Sequence, residues 1–386
     1  MDITIHPAKL KGSVSAIPSK SQAHRMLICA AFADGPTRLI CPESNDDIQA
    51  TADCLNALGA EIRRTAEGYH VTPVSEIPAQ ATLPCRESGS TLRFLLPIVG
   101  ALGIKATMQM EGRLPRRPLS PLWEEMERMG CFLSRPTAST IQCEGKLRSG
   151  TYTIAGNVSS QFVTGLMLAL SLMDNRSTLN VTGNVESAPY IEMTGQVMAL
   201  FPNRRTPGCL RVEGDWSNSA FFLAAKELGS AIHVENLSDA SVQGDRAVSF
   251  WLPRLQNRCI ISAEDIPDLV PILSVVAAAN AGAVFTGIER LRLKESDRVA
   301  SVIAMLEALG GKAEATEHTL TVFGTGLTGG IVDSFHDHRI AMSAAIAATV
   351  CKEDITILGA ECVNKSYPKF FEDYRRLGGN YEQYLR

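Results

Sequence analysis

Residues 19–35 read SKSQAHRMLICAAFADG, and this stretch decides the fold. Small polar residues open it, a run of Ala, Leu, Ile and Met follows, and Gly35 closes it. This is the grammar of a capped helix that is apolar on most sides and therefore buried. The same grammar returns five times: SGSTLRFLLPIVGALG from Ser88, SSQFVTGLMLALSLM from Ser159, SNSAFFLAAKELG from Ser217, PDLVPILSVVAAANAG from Pro267 and HDHRIAMSAAIAATV from His336. After each comes a short strand-like run: TRLICP, IKATMQMEG, STLNVTGNV, AIHVENLS, AVFTGIERL and DITILGA.

A second, amphipathic helix follows each strand. Its clear forms are DDIQATADCLNALGAEI, LSPLWEEMERMGCFL, ESDRVASVIAMLEALGGKAE and YPKFFEDYRRLGGNY, with weaker copies in YIEMTGQVMALF and VSFWLPRLQ. The Leu-Gly or Met-Gly ending is a stop signal, since Gly takes the left-handed cap at no steric cost. Charge on one face puts these helices in an outer layer. The spacing is that of a repeated supersecondary unit, and six units divide into two groups of three. A parallel doubly wound sheet would need near-continuous Val/Ile strands, which are absent.

Composition limits the function. The 386 residues are 45% hydrophobic and 20% charged, with a formal net charge of -4 and 6% aromatics. That balance suits a globular protein with at least two cores and gives no basic, aromatic-rich face for nucleic acid. The ten cysteines include no C-x-x-C pair, so they read as small hydrophobes in a reducing compartment rather than a zinc site. The opening MDITIHPAKLKG alternates like a strand, and the apolar runs are too short to span a bilayer. A cytoplasmic protein is expected.

The chemistry concentrates at helix starts and basic loops. Ser19-Lys20-Ser21 with Arg25, Asn157 to Gln161, and Asp337-His338-Arg339 each open a first-series helix. Helix N-termini offer unpaired N–H groups and a positive dipole end to phosphate or carboxylate. Further cations cluster in RLPRRP from Arg113, RLKESDR from Arg292 and NKSYP from Asn364. In a mildly acidic chain such clusters focus field on a small anionic ligand. Other motifs lose their context. The G-x-G-x-x-G at Gly324 precedes another strand-like run rather than a helix, so it is a turn. His336-Asp337-His338 has no partner ligands for a metal and reads as a helix cap.

Eleven stretches in order from Ser19 to Phe371 resemble the enolpyruvyl transferases, and within them the EPSP synthase family. They are PSKSQAHRMLICAA, ESGSTLRFL, GRLPRRPL, GNVSSQFVTGLM, ESAPYIEMT, VEGDWSNSAFFLAA, SVQGDRAV, IPDLVPILSVVAA, LKESDRVA, DHRIAMSAAIAA and NKSYPKFF. The resemblance implies a two-domain, inverse αβ barrel-like fold of six βαβαββ repeats, three per domain, with the active site in the interdomain cleft. One domain would run over 19–213, and the other would combine 1–18 with 214–386. The implied reaction moves the carboxyvinyl group of phosphoenolpyruvate to the 5-hydroxyl of shikimate 3-phosphate and releases phosphate. It belongs to aromatic amino-acid biosynthesis, and glyphosate would compete in it with phosphoenolpyruvate. No metal, organic cofactor, nucleic acid or membrane is implied, and a monomer is.

Site residues carry over position by position. Ser21 and Arg25 would hold the shikimate carboxylate, Gln161 the ring, and Ser159, Ser160, Ser187 and Lys294 the 3-phosphate. Gly89, Arg117, Arg298, Arg339 and Lys365 would surround phosphoenolpyruvate, with Gln161 alongside and Lys20 beside both substrates. Asp268 would take the hydroxyl proton, and Glu295, with Lys20, would serve the methylene carbon. The seven cations nearly match the roughly six negative charges of two phosphates and two carboxylates, and Arg forks suit such anions. Arg290 stands where the family pattern has Asn, and so does Glu87. The stretches 201–211 and 240–264 are short for the family. Two other readings of the fold differ at identifiable features. A UDP-N-acetylglucosamine enolpyruvyl transferase would carry a Cys near GRLPRRPLS, and none lies between Cys85 and Cys131. An RNA-end-processing protein of related repeat fold would need the basic face that the composition lacks.

Overall fold

The computed structural model describes residues 1–173 and 176–384. The chain packs as two compact units, Pro18–Glu213 and Met1–Ile17 together with Gly214–Arg386.

Within the unit 18–213, the three first-series helices are Lys20–Ala31, Gly89–Leu102 and Ser160–Leu170. Ser19, Ser88 and Ser159 cap them, each side chain accepting a backbone N–H from the first turn. The second crosses between the parallel strands Gln80–Arg86 and Lys105–Met110, and the third between Thr151–Ala155 and Thr178–Thr182. The first leads into Thr37–Ile40, whose parallel partner Cys209–Arg211 comes from the far end of the unit and closes the ring of repeats. The outer helices Asp46–Ala57 and Leu122–Arg128 are each followed by an antiparallel hairpin that completes a four-stranded sheet. Gly165 makes the helix packing possible, because a Cβ there would collide with the Arg93 carbonyl of the neighbouring helix.

The other unit repeats the plan with Trp216–Glu227, Val270–Ala279 and His338–Ala347. Val270–Ala279 joins Cys259–Ser262 to Ala283–Thr286, and His338–Ala347 joins Gly330–Asp333 to Ile355–Leu358, both parallel pairs. Nine of the ten residues in Val270–Ala279 are buried, as expected of a helix with no polar face. The chain start is used twice. Asp2–His6 pairs antiparallel with Ile355–Leu358 and Asn380–Tyr384, and Lys11–Ser15 pairs parallel with Ala231–Glu235.

The repeats are unequal. In the third and fourth the sheet stops at two strands. The third ends in the 3-10 turn Pro202–Arg204, and the fourth has in place of a full outer helix the 3-10 segment Gly244–Ala247, the one-turn helix Val248–Trp251 and the 3-10 segment Leu252–Gln256. Both lie in the stretches read as short. Pro202, Pro207 and Pro253 also remove ladder donors there. The glycines at 324–329 fall between the strands Thr319–Phe323 and Gly330–Asp333, as a turn. Among the described residues, no helix is long and apolar enough to cross a membrane.

Candidate active site

The expected site residues form two groups, one in each unit. In the unit 18–213, Lys20 is the first residue of its helix and its Nζ lies 2.9 Å from Asp47 Oδ2. Arg25, one turn on and only 3% exposed, is held on every side. Its Nε donates to Thr194 Oγ1 at 2.8 Å, Nη1 to the Ser21 carbonyl at 2.6 Å, and Nη2 to Thr164 Oγ1 at 3.2 Å and the Tyr190 carbonyl at 3.0 Å. Burial lowers its pKa to about 10, which still leaves a cation at neutral pH.

The Ser159 hydroxyl accepts from the Gln161 backbone N–H at 3.3 Å. As an acceptor there, it keeps its own proton available to an anion. Ser160 follows as the first helical residue. Ser187 sits at the start of Ala188–Ala199 with φ 57° and ψ 37°, a left-handed conformation uncommon for a non-glycine residue. Gln161 is oriented at both ends of its amide: Oε1 accepts from Arg93 Nη1 at 3.0 Å, and Nε2 donates to Ser90 Oγ at 2.9 Å. At Gly89, a Cβ would stand 2.7 Å from Arg93 Nη1 and 2.8 Å from Arg117 Nη1. Glycine is what lets two guanidinium groups crowd this helix start.

In the other unit the group is denser. Val270–Ala279 begins after Leu269, so Asp268 is not its cap. The Asp268 carboxylate is free to face cations instead. It is ion-paired with Arg298 Nη1, lies 3.0 Å from Arg339 Nη2 and is 3.7 Å from Lys294 Nζ. Burial pushes its pKa up, but Arg339, Lys294 and Arg298 prevail and hold it well below the usual carboxylate range. Arg298 is 1% exposed and also meets Glu295 at 2.7 Å and Asp337 at 2.9 Å. Lys294 is lowered to about 8, first by burial and then by the neighbouring cations Arg290 and Arg298 working against Asp268. Arg290, the departure from the family pattern, therefore acts on Lys294 through charge. Lys365 ends the 3-10 segment Ala360–Lys365.

Two expectations change. The sixth helix start is not an open anion site: the buried Asp337 caps it, accepting the Arg339 backbone N–H at 3.0 Å. The tally of seven cations also overstates the bare positive charge. Lys20, Lys294, Arg298 and Arg339 are already paired with carboxylates of the chain, so an arriving anion competes for donors that are in use. Sequence reasoning passed over Asp47 and Arg93, and it named Asp337 without its partner Arg298. Arg93 and Asp337 lie inside the quoted motifs ESGSTLRFL and DHRIAMSAAIAA, but only burial and partner distances reveal what they hold. Among the described residues, no group of three or more His, Cys, Asp and Glu stands together as a metal site.

Residues 5–374 match the family described as EPSP synthase (3-phosphoshikimate 1-carboxyvinyltransferase). A protein of Clostridium beijerinckii named 3-phosphoshikimate 1-carboxyvinyltransferase is 37% identical over 429 aligned residues, covering 99% of this chain and 99% of its own length. A relative of the same name from Clostridium perfringens is 36% identical over 417, covering 98% of each. Among solved structures, an EPSP synthase from Acinetobacter baumannii superposes with a TM-score of 0.81 at 22% identity, covering 99% of this chain and all of that one. The enolpyruvyl transferase NikO from Streptomyces tendae gives 0.75 at 16%, covering 99% and 98%. At those identities the two structures speak for the fold, and the sequence matches speak for the family. The chain belongs to the EPSP synthase (3-phosphoshikimate 1-carboxyvinyltransferase) family.

Proposed function

We propose that this protein transfers the carboxyvinyl group of phosphoenolpyruvate to the 5-hydroxyl of shikimate 3-phosphate, releasing inorganic phosphate. The observation that carries the assignment is Asp268. It stands outside its helix cap, about a quarter exposed, and is shared by Arg298, Arg339 and Lys294. A carboxylate so placed is both a base and a counter-ion.

In the reaction, Asp268 accepts the proton of the 5-hydroxyl as its oxygen bonds to C2 of phosphoenolpyruvate. An acid delivers a proton to the methylene C3, giving a tetrahedral intermediate with a methyl group. Phosphate then leaves C2 while C3 gives a proton back, restoring the double bond. Glu295, with Lys20, serves C3 in both directions. Arg117, Arg298, Arg339 and Lys365, with Gly89 and Gln161, take the phosphate and carboxylate of phosphoenolpyruvate. Ser21 and Arg25 take the shikimate carboxylate, Gln161 lines its ring, and Ser159, Ser160, Ser187 and Lys294 take its phosphate. The reading draws on side chains of both units.

The electrostatics favour this order of events. With its carboxyl held far below the usual range, Asp268 is a weak base in the unliganded protein. Substrate anions that engage Arg339, Arg298 and Lys294 offset those charges and raise its proton affinity. The base is therefore strengthened by the substrates it serves. The same proposal includes a monomer working in the cytoplasm, where the ten free thiols would stay reduced. Phosphate release from phosphoenolpyruvate, measured with and without shikimate 3-phosphate, tests the reading. Release that does not depend on shikimate 3-phosphate, or no release, would refute it.

A further inference from the structure

His24 is a fully buried imidazole that the reaction as read above does not use. Its Nδ1 lies 2.7 Å from the hydroxyl of Thr51 on the outer helix Asp46–Ala57. The Thr51 hydroxyl lies 2.7 Å from that of Thr91, in the first turn of Gly89–Leu102. Thr91 Oγ1 donates to the hydroxyl of Ser88, the cap of that helix, at 2.7 Å. Thr51, Thr91 and Ser88 are fully buried like His24, so solvent cannot stand in for any bond of this chain. The order of its protons follows from its last link. A hydroxyl has one proton to give. Thr91 gives its proton to Ser88, with the Asp47 carbonyl a distant second at 3.5 Å, so it accepts from Thr51. Thr51 has then used its own proton and accepts from His24. The ring, kept neutral mainly by its burial, is therefore the Nδ1–H tautomer. Its Nε2, which has no hydrogen-bond partner among the described residues, carries the lone pair.

We infer that His24, Thr51 and Thr91 are positioning residues for the reaction, a one-way hydrogen-bond chain that holds the helix start at Gly89 in place for phosphoenolpyruvate. The inference rests on the phosphoenolpyruvate contact proposed for Gly89. The chain crosses three helices. One begins at Lys20 and one at Gly89, and the outer helix between them carries Asp47, 2.9 Å from Lys20 Nζ. The places of Lys20 and Gly89 are thereby tied to each other. A threonine in a helix commonly bonds back to a carbonyl of its own helix. Thr51 instead reaches a neighbouring helix on either side, and its branched Cβ keeps that direction stiff. Ser88 is gripped twice by Thr91, through the hydroxyl at 2.7 Å and the backbone N–H at 3.3 Å. Gly89 follows directly and leaves little slack, because Arg93 and Arg117 already crowd the place of its missing Cβ. A small shift of this helix start therefore changes how both guanidinium groups are presented.

Thr91→Val removes the hydroxyl and keeps the shape, whereas Thr91→Ser keeps the hydroxyl and removes the methyl. Kinetics should follow the hydroxyl. Thr91→Val should raise KM for phosphoenolpyruvate by about three- to tenfold. KM for shikimate 3-phosphate should move less, since Arg25 is held by partners of its own. Thr91→Ser should lower the melting temperature through lost packing and keep a native KM for phosphoenolpyruvate. A merely structural role would move the melting temperature in both variants and leave that KM alone, so an unchanged KM in Thr91→Val would overturn the inference. If Thr91→Val does not fold, the native protein decides. Nitrogen-15 NMR of its imidazoles at neutral pH should show His24 as the Nδ1–H tautomer. An Nε2–H tautomer would reverse the chain, take the Thr91 proton away from Ser88 and overturn the inference. A native protein that releases no phosphate would instead sink the reaction assignment and the positioning role with it, while the tautomer would stand.

Discussion

Asp268→Asn separates the two duties of this carboxylate. The substitution keeps shape and an acceptor but removes the base and one negative charge from a cluster of three cations. Loss of general base catalysis is worth about 10²–10⁴-fold, so kcat should fall by that much. Binding should move the other way. In the native protein an incoming phosphate or carboxylate competes with Asp268 for Arg339 Nη2, at 3.0 Å, and for Arg298 Nη1. A charge-assisted hydrogen bond contributes roughly 1.5–3 kcal/mol, so relieving one such competition should tighten anion binding by about tenfold or more. Arg298 keeps Glu295 and Asp337 and is not stranded by the change. Steady-state kinetics combined with calorimetric titration of phosphoenolpyruvate and shikimate 3-phosphate would show slow turnover with equal or tighter binding. A near-native kcat would refute the base assignment and move it to Glu295. A loss of affinity as large as the loss of rate would refute the competition argument.

Asp337→Asn should destabilise the unit 1–17 with 214–386 by about 1.5–3 kcal/mol in urea unfolding, because it removes one charge-assisted bond from Arg298, which keeps Asp268 and Glu295. Asp337 and Asp268 both have folded pKa values below the ordinary carboxylate range, so their contribution is present above about pH 4 and lost as pH falls further. Melting temperature measured against pH should drop on that acid side, and less steeply in Asp337→Asn. Gly89→Ala should raise KM for phosphoenolpyruvate more than it lowers kcat, since the added Cβ displaces Arg93 and Arg117 from 2.7 and 2.8 Å; an unchanged KM would show that both can give way freely. Lys365→Ala should likewise weaken phosphoenolpyruvate binding first, by roughly 1.5–3 kcal/mol, and a calorimetric affinity equal to the native one would remove Lys365 from the site.

Much of the fold could be read without coordinates because its signals are local. All six strand-like runs after the buried helices are strands, from Thr37–Ile40 to Ile355–Leu358. Serine caps, apolar runs and Leu-Gly stops act within a few residues of one another, and a repeat shows them six times. The acid, base and anion-binding residue types were legible for the same reason, each lying in a short motif. The sequence alone thus determined the repeat and the family, and it named the residues proposed for the site. Tertiary structure decided what depends on distant partners. Cys209–Arg211 closes a sheet with Thr37–Ile40, and Asp2–His6 inserts between two strands from the other end of the chain. Neither pairing has a sequence signature, because a strand's partner is chosen by packing. The charge state of the site is tertiary as well. Arg298 joins Asp268, Glu295 and Asp337 across as many as 39 positions, and Arg339 reaches back 122 positions to Ser217. A formal count sees cations waiting for anions. The folded protein has already paired four of them, Lys20, Lys294, Arg298 and Arg339, because a buried charge without a partner is costly to keep.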